Sequence, residues 1–166
     1  MKIKIKFDVM DLNGEGAHIL IPASFDQENS INLIIDTGAS KSVFDISIPK
    51  KYIKKVSMKE YLLGQGFDPI TVEVATGGQD NKTLETRGIS SEKIETSFGI
   101  IKKLYFKDIE ILGYAAPLID LKPINDIYKS ITNLKITGLL GSDFLLEYKA
   151  VIDYGKKTLT LNFVDK

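Results

Sequence analysis

The sequence predicts a mainly β fold with one or two short helices, on three observations. Apolar and polar residues alternate through much of the N-terminal half, and short apolar runs recur between turns that carry glycine, asparagine or proline. In addition, the apolar run Ile31-Asn32-Leu33-Ile34-Ile35 delivers an acid, Asp36, directly before the small residues Thr37 and Gly38. An ionised carboxylate is costly to bury, so an acid at the end of a strand core reads as one held for chemistry.

Taken in order, residues 2–9 alternate with Ile3, Ile5, Phe7 and Val9 on one face, residues 18–25 form a second extended run, and residues 31–35 a third. Asn13-Gly14 and Gln27-Glu28-Asn29 supply the turns between them. Residues 43–48 read as a further strand stopped by Pro49. The lysine-rich residues 50–59 read as a surface turn or short helix, because the run is interrupted and its charges are offset elsewhere. Residues 70–75 alternate, 77–81 have turn chemistry, and 82–89 resume in strand-friendly types, which predicts a long hairpin. Its glycine-rich polar tip suits either a cover over a cleft or an ordinary exposed turn. Residues 94–106 and 109–121 give two more strands around Lys107-Asp108, and 123–131 have the spacing of a short helix opened by Pro123. Residues 136–140 form a strand ending at Gly141, and Phe144-Leu145-Leu146 a short helix beginning at Ser142-Asp143. A closing hairpin joins 149–153 to 158–163 through Tyr154-Gly155-Lys156-Lys157, with glycine expected where positive φ is needed.

At 166 residues the chain fits one domain spanning 1–166. Basic and acidic residues balance at 22 each, so no overall field draws it to nucleic acid or an anionic membrane, and neither partner is expected. The absence of cysteine removes disulfides, thiolate catalysis and sulfur-ligated zinc together. Asp8 and Asp11 lack the histidine partners of a metal site, so no metal and no cofactor are expected. The alternating N-terminus lacks the apolar run of a signal peptide, and no later run is long enough to span a bilayer. The expectation is a soluble, cytoplasmic protein. His18, the single histidine, sits in an extended apolar run and reads as structural. Asp143 reads as a helix cap, Asp153 as a turn acceptor.

The block Asp36-Thr37-Gly38-Ala39-Ser40, preceded by Leu33-Ile34-Ile35, is matched downstream by Leu139-Leu140-Gly141 and then Ser142-Asp143-Phe144-Leu145. Together these resemble the active-site motifs of the retropepsin-like aspartic proteases. The resemblance implies a single-lobe barrel with a flap hairpin, hydrolysing extended peptides by an Asp-activated water. It makes Asp36 the catalytic carboxylate, Thr37 a hydroxyl bracing two active-site loops, and Gly38 backbone close to substrate, with Ala39 and Ser40 lining the cleft. Leu139, Leu140 and Gly141 become the support of that loop. Thr76, Gly77, Gly78 and Gln79 become the flap tip over bound peptide, with Gly64-Gln65-Gly66 as another candidate.

Two nearby carboxylates cannot easily both ionise, so they share a proton and divide the roles of acid and base, while water attacks the peptide carbonyl. This chain carries only one Asp-Thr-Gly. The resemblance therefore implies a homodimer in which Asp36 of a second subunit completes the dyad. Residues 2–9 and 158–163 are candidates to pair across that interface or within one subunit. The alternative is a retropepsin-like module that binds peptides or partners without hydrolysing them.

Overall fold

The computed structural model describes residues 1–77 and 97–163. The N-terminal alternation forms two strands, not one: β1 (Lys2–Lys6) and β2 (Asp8–Asp11) part at Phe7, whose N–H donates to the Lys157 carbonyl at 3.0 Å. Ile5 and Phe7 are buried, but Val9 turns outward once the chain changes sheets. β3 (Ala17–Ser24) and β4 (Ser30–Ile35) follow as an antiparallel pair, then β5 (Val43–Asp45), shorter than its apolar run suggests.

The lysine-rich segment contains a strand, β6 (Ile53–Val56), which corrects its reading as turn or helix. Ile53 is buried while Lys54 and Lys55 face water, and lysines are well suited to the edge strand that β6 forms. α1 (Met58–Gly64) begins at a capping box in which Ser57 and Glu60 satisfy each other's backbone N–H groups.

The strand expected over 70–75 is instead α2 (Pro69–Thr76). Asp68 caps it through the N–H groups of Ile70 and Thr71, Pro69 pre-sets the first turn, and Gly77 closes it in the left-handed region at φ 60. These end signals outweigh the β-branched alternation, because each satisfies backbone groups that a strand here would have to pair elsewhere. Gly78, Gln79 and the remainder of the expected hairpin, through residue 89, lie outside the described residues.

β7 (Ser97–Phe106) and β8 (Ile109–Ile119) form a long hairpin around Lys107, whose φ is 54. α3 (Lys122–Ile131), β9 (Ile136–Leu140), α4 (Ser142–Glu147), β10 (Val151–Asp153) and β11 (Thr158–Asn162) complete the chain as the sequence predicts. In the last turn the positive φ falls on Lys157 and not on Gly155, while Asp153 accepts from the Lys156 N–H at 2.9 Å.

Eight strands join in the order β2-β3-β4-β9-β5-β8-β7-β6, and a further bridge, Ser24 to Tyr105, curls β3 against β7. A second sheet, β1-β11-β10, closes over the curl and contributes Ile5, Leu159 and Leu161 to the main core with Phe44, Phe106 and Phe144. Burying each such side chain stabilises the fold by about 1.5–3 kcal/mol. Residues 2–6 and 158–162 thus pair with each other inside one chain, from Lys2 opposite Asn162 to Lys6 opposite Thr158. On the opposite face of β3, β4 and β9 a smaller core forms under α3 from Leu20, Ile34, Leu121, Tyr128 and Ile136. Buried Asn125 pins α3 to β9: its Oδ1 accepts from the Ile136 N–H at 2.7 Å, and its Nδ2 donates to the Ile136 and Leu121 carbonyls. Among the described residues no helix is long and apolar enough to cross a membrane.

Candidate active site

Leu33, Ile34 and Ile35 are all buried because β4 is flanked on both sides, antiparallel to β3 and parallel to β9, with core on both faces. The parallel pair runs out at Ile35 opposite Leu140, and the Asp36 N–H makes one further bond to the Leu140 carbonyl at 3.0 Å. The sheet thus delivers Asp36 to the end of the strand as a half-buried side chain.

Beyond Asp36 the chain turns on its own carboxylate. Oδ1 of Asp36 accepts from the Gly38 N–H at 3.0 Å and from the Ala39 N–H at 3.2 Å, fixing the orientation of the group. Among the described residues Oδ2 has no hydrogen-bond partner. A Cβ at Gly38 would lie 3.3 Å from Oδ1, so the bare backbone lets the loop wrap the acid closely. Thr37 and Ser40 are exposed and Ala39 is partly buried.

The second block grips this loop through several bonds. The Ser142 N–H donates to the Ala39 carbonyl at 2.8 Å and its Oγ to the Thr37 carbonyl at 3.0 Å. Fully buried Ser42 accepts from the Gly141 N–H at 2.9 Å through Oγ, and donates that hydroxyl (2.7 Å) and its own N–H (2.8 Å) to Oδ1 of Asp143. A Cβ on Gly141 would sit 2.6 Å from the Lys41 carbonyl carbon and 2.8 Å from the Ala39 oxygen, so only glycine fits. Leu139 pairs with Ile34 and Val43, and Leu140 with Ile35, at the base of the loop.

Asp143 differs from its sequence reading. α4 starts from Gly141 with no side-chain cap, and Asp143 instead ties the loop to the helix while also accepting from the Phe144 N–H at 2.8 Å. Ser42, Ser142 and Asp143 are the support residues that sequence reasoning missed. A buried-strand acid followed by serines within six positions hints at such a clasp, but nothing local points to a partner 101 residues away.

The candidate cover is also built differently from the expected hairpin. β6 pairs with β7 as far as Val56 opposite Phe98, so α1 and α2 belong to the connection between those strands. Thr76 is buried at the end of α2 with its hydroxyl donating to the Val72 carbonyl at 2.9 Å, and Gly77 is the helix stop; neither is a hairpin tip. From the other candidate segment, Gln65 reaches the Asp loop, its Oε1 3.5 Å from the Nζ of Lys41. Tyr61 stacks on Phe98 with centroids 4.5 Å apart, seating α1 on the sheet, and burial pushes its hydroxyl above the ordinary value. A pocket of about 400 Å³ opens beside Asp36 and Thr37, walled by His18, Ile35, Ile124 and Leu139.

No protein-family model and no curated protein matches the chain. Among solved structures, it is similar to a retropepsin-like aspartic protease from Rickettsia conorii, with 21% identity over 98% of this chain and 91% of that one, at a TM-score of 0.48. It is also similar to the retroviral protease-like domain of Ddi1 from Leishmania major, with 15% identity over 89% of this chain and 90% of that one, at a TM-score of 0.46.

Proposed function

We propose that this chain is an aspartic-type endopeptidase whose catalytic dyad is completed by Asp36 of a second copy. The observation that carries the reading is the loop geometry. A single carboxylate stands at the end of a doubly flanked strand, with one oxygen held by two backbone N–H groups and the other without a partner among the described residues. Such a group can hold or withdraw a proton from water without moving, which general acid–base catalysis requires. One carboxylate cannot serve as base and acid at once, so a two-fold arrangement placing two Asp36 loops together supplies the missing member. The exposure of Thr37 supports a role for its hydroxyl in bracing the partner's loop. The substrate is an extended peptide laid between that floor and α1, whose C-cap residue Gln65 approaches Lys41 of the loop.

Hydrolysis of an unfolded protein such as casein, followed alongside sedimentation, tests this. Asp36→Asn lowers cleavage by roughly a thousandfold while leaving the dimer in place. Cleavage that survives the substitution undiminished overturns the assignment, and a stable monomer that binds peptides without cutting them moves the function to a binding module.

A further inference from the structure

The pocket beside Asp36 is walled by a polar side chain that the proposed chemistry does not use, His18, which is bonded from behind by Tyr128. Continuing the β3–β4 register from Leu20 opposite Ile34 and Ile19 opposite Ile35 sets His18 opposite Asp36, with both side chains toward the same face of the sheet. His18 is half-buried and walls the pocket with Asp36 and Thr37. Its Nδ1 lies 2.9 Å from the hydroxyl of Tyr128.

Tyr128 settles which nitrogen carries the proton. Its side chain is fully buried on α3, burial pushes its hydroxyl up to about 12, and the phenol therefore keeps its proton at neutral pH. Among the described residues the hydroxyl has one partner, Nδ1 of His18. A buried O–H left without an acceptor is unfavourable by about 1–3 kcal/mol, so it donates to Nδ1. The neutral imidazole then carries its hydrogen on Nε2, which has no partner among the described residues.

We infer that His18, oriented by Tyr128, presents an Nε2–H donor into the pocket beside Asp36 and selects peptides with a hydrogen-bond acceptor, such as a glutamine carboxamide, at the position filling it. His18 is the specificity residue and Tyr128 a positioning residue. This rests on the peptidase reading for its substrate class but not for its geometry. Ile35, Ile124 and Leu139 supply the apolar walls that would hold the methylene stem of such a side chain.

His18 is the only histidine in the chain, so imidazole ¹⁵N spectra report on it alone. In the neutral ring the hydrogen is on Nε2; a neutral ring with its hydrogen on Nδ1 overturns the inference. Tyr128→Phe turns the ring into a mixture of tautomers, and an unchanged spectrum again overturns it. Extended peptides differing only by Gln or Met, varied position by position, are then titrated into the Asp36→Asn protein. At one position the Gln peptide binds on the order of tenfold tighter and shifts the Nε2–H resonance. In the wild-type protein the same pair shows the same preference in kcat/KM, and His18→Phe collapses the ratio toward one. No preference at any position, or one that survives His18→Phe, refutes the role. If Asp36→Asn cleaves like the wild type, the peptidase reading falls while the tautomer and binding measurements still judge His18.

Discussion

The loop that carries Asp36 and the helical segment between β6 and β7 are held in opposite ways. The loop is polar, short and locked by hydrogen bonds to Leu140, Gly141, Ser142 and Asp143, with Ser42 buried at its end. The helical segment is tied down by a few apolar contacts, chiefly Met58 and Tyr61 on Phe98, and leaves Phe67, Ile70 and Val74 exposed. Hydrogen bonds specify direction and distance, so they suit a floor that must hold one carboxylate in one orientation. Apolar contact is less directional, and a segment secured by it can shift with little change in free energy.

The contrast can be broken most severely at the carboxylate. Asp36→Asn lowers peptide hydrolysis by roughly a thousandfold without changing thermal stability; a parallel fall in Tm would make Asp36 a structural part of the floor. Gly141→Ala comes next, because its Cβ meets the backbone of Lys41 and Ala39. It costs about 3 kcal/mol and roughly 10 °C in Tm, and a protein that tolerates it would show that the loop is not rigid. Ser42→Ala strands the Gly141 N–H and removes one of the donors to Asp143, costing about 2 kcal/mol in denaturant titrations. Ile70→Ser combined with Val74→Ser, on the exposed face of α2, changes stability by no more than about 0.5 kcal/mol. A larger loss would mean that this face is packed in solution.

Acid sharpens the comparison further. The Ser57 backbone N–H, then its hydroxyl, holds Glu60 below its ordinary 4.5, and the Thr71 hydroxyl, then its N–H, holds Asp68 below its ordinary 3.8. Folding lowers both values, so the ionised caps support α1 and α2 above those pH values and lose that support as pH falls through the lowered folded values. Protection of the Glu60, Ile70 and Thr71 amides against exchange, relative to the unfolded chain at the same pH, should therefore fall below about pH 4 before protection in β4 and β9 does. Simultaneous loss of protection everywhere would show one cooperative unit.

What the sequence made legible follows the same division. β3, β4, the β7–β8 hairpin, β9 with α4, and the final hairpin were readable because their apolar periods and turn residues agree. α2 was misread because Ile70, Val72 and Val74 alternate like a strand, although Asp68-Pro69 and Gly77 mark the ends of a helix and leave Ile70 and Val74 one turn apart on its outer side. β6 was hidden by lysines that belong on an edge. Asp36 and Gly141 stood out by motif, whereas Ser42 with Asp143 and His18 with Tyr128 become visible only when distant segments meet. Nothing in a local window distinguishes a serine that donates to solvent from one that anchors a loop.

The bonds by which the second block grips the Asp36 loop join residues 99 to 105 positions apart. Contacts of that separation require a large loop to close and form late in folding. During synthesis the ribosome releases Asp36 long before Gly141 and Asp143, so a nascent chain carries the acid without the clasp that grips its loop. The loop therefore takes its final form only after residues 141–143 have emerged, so the setting of the acid depends on a segment made well after the acid itself.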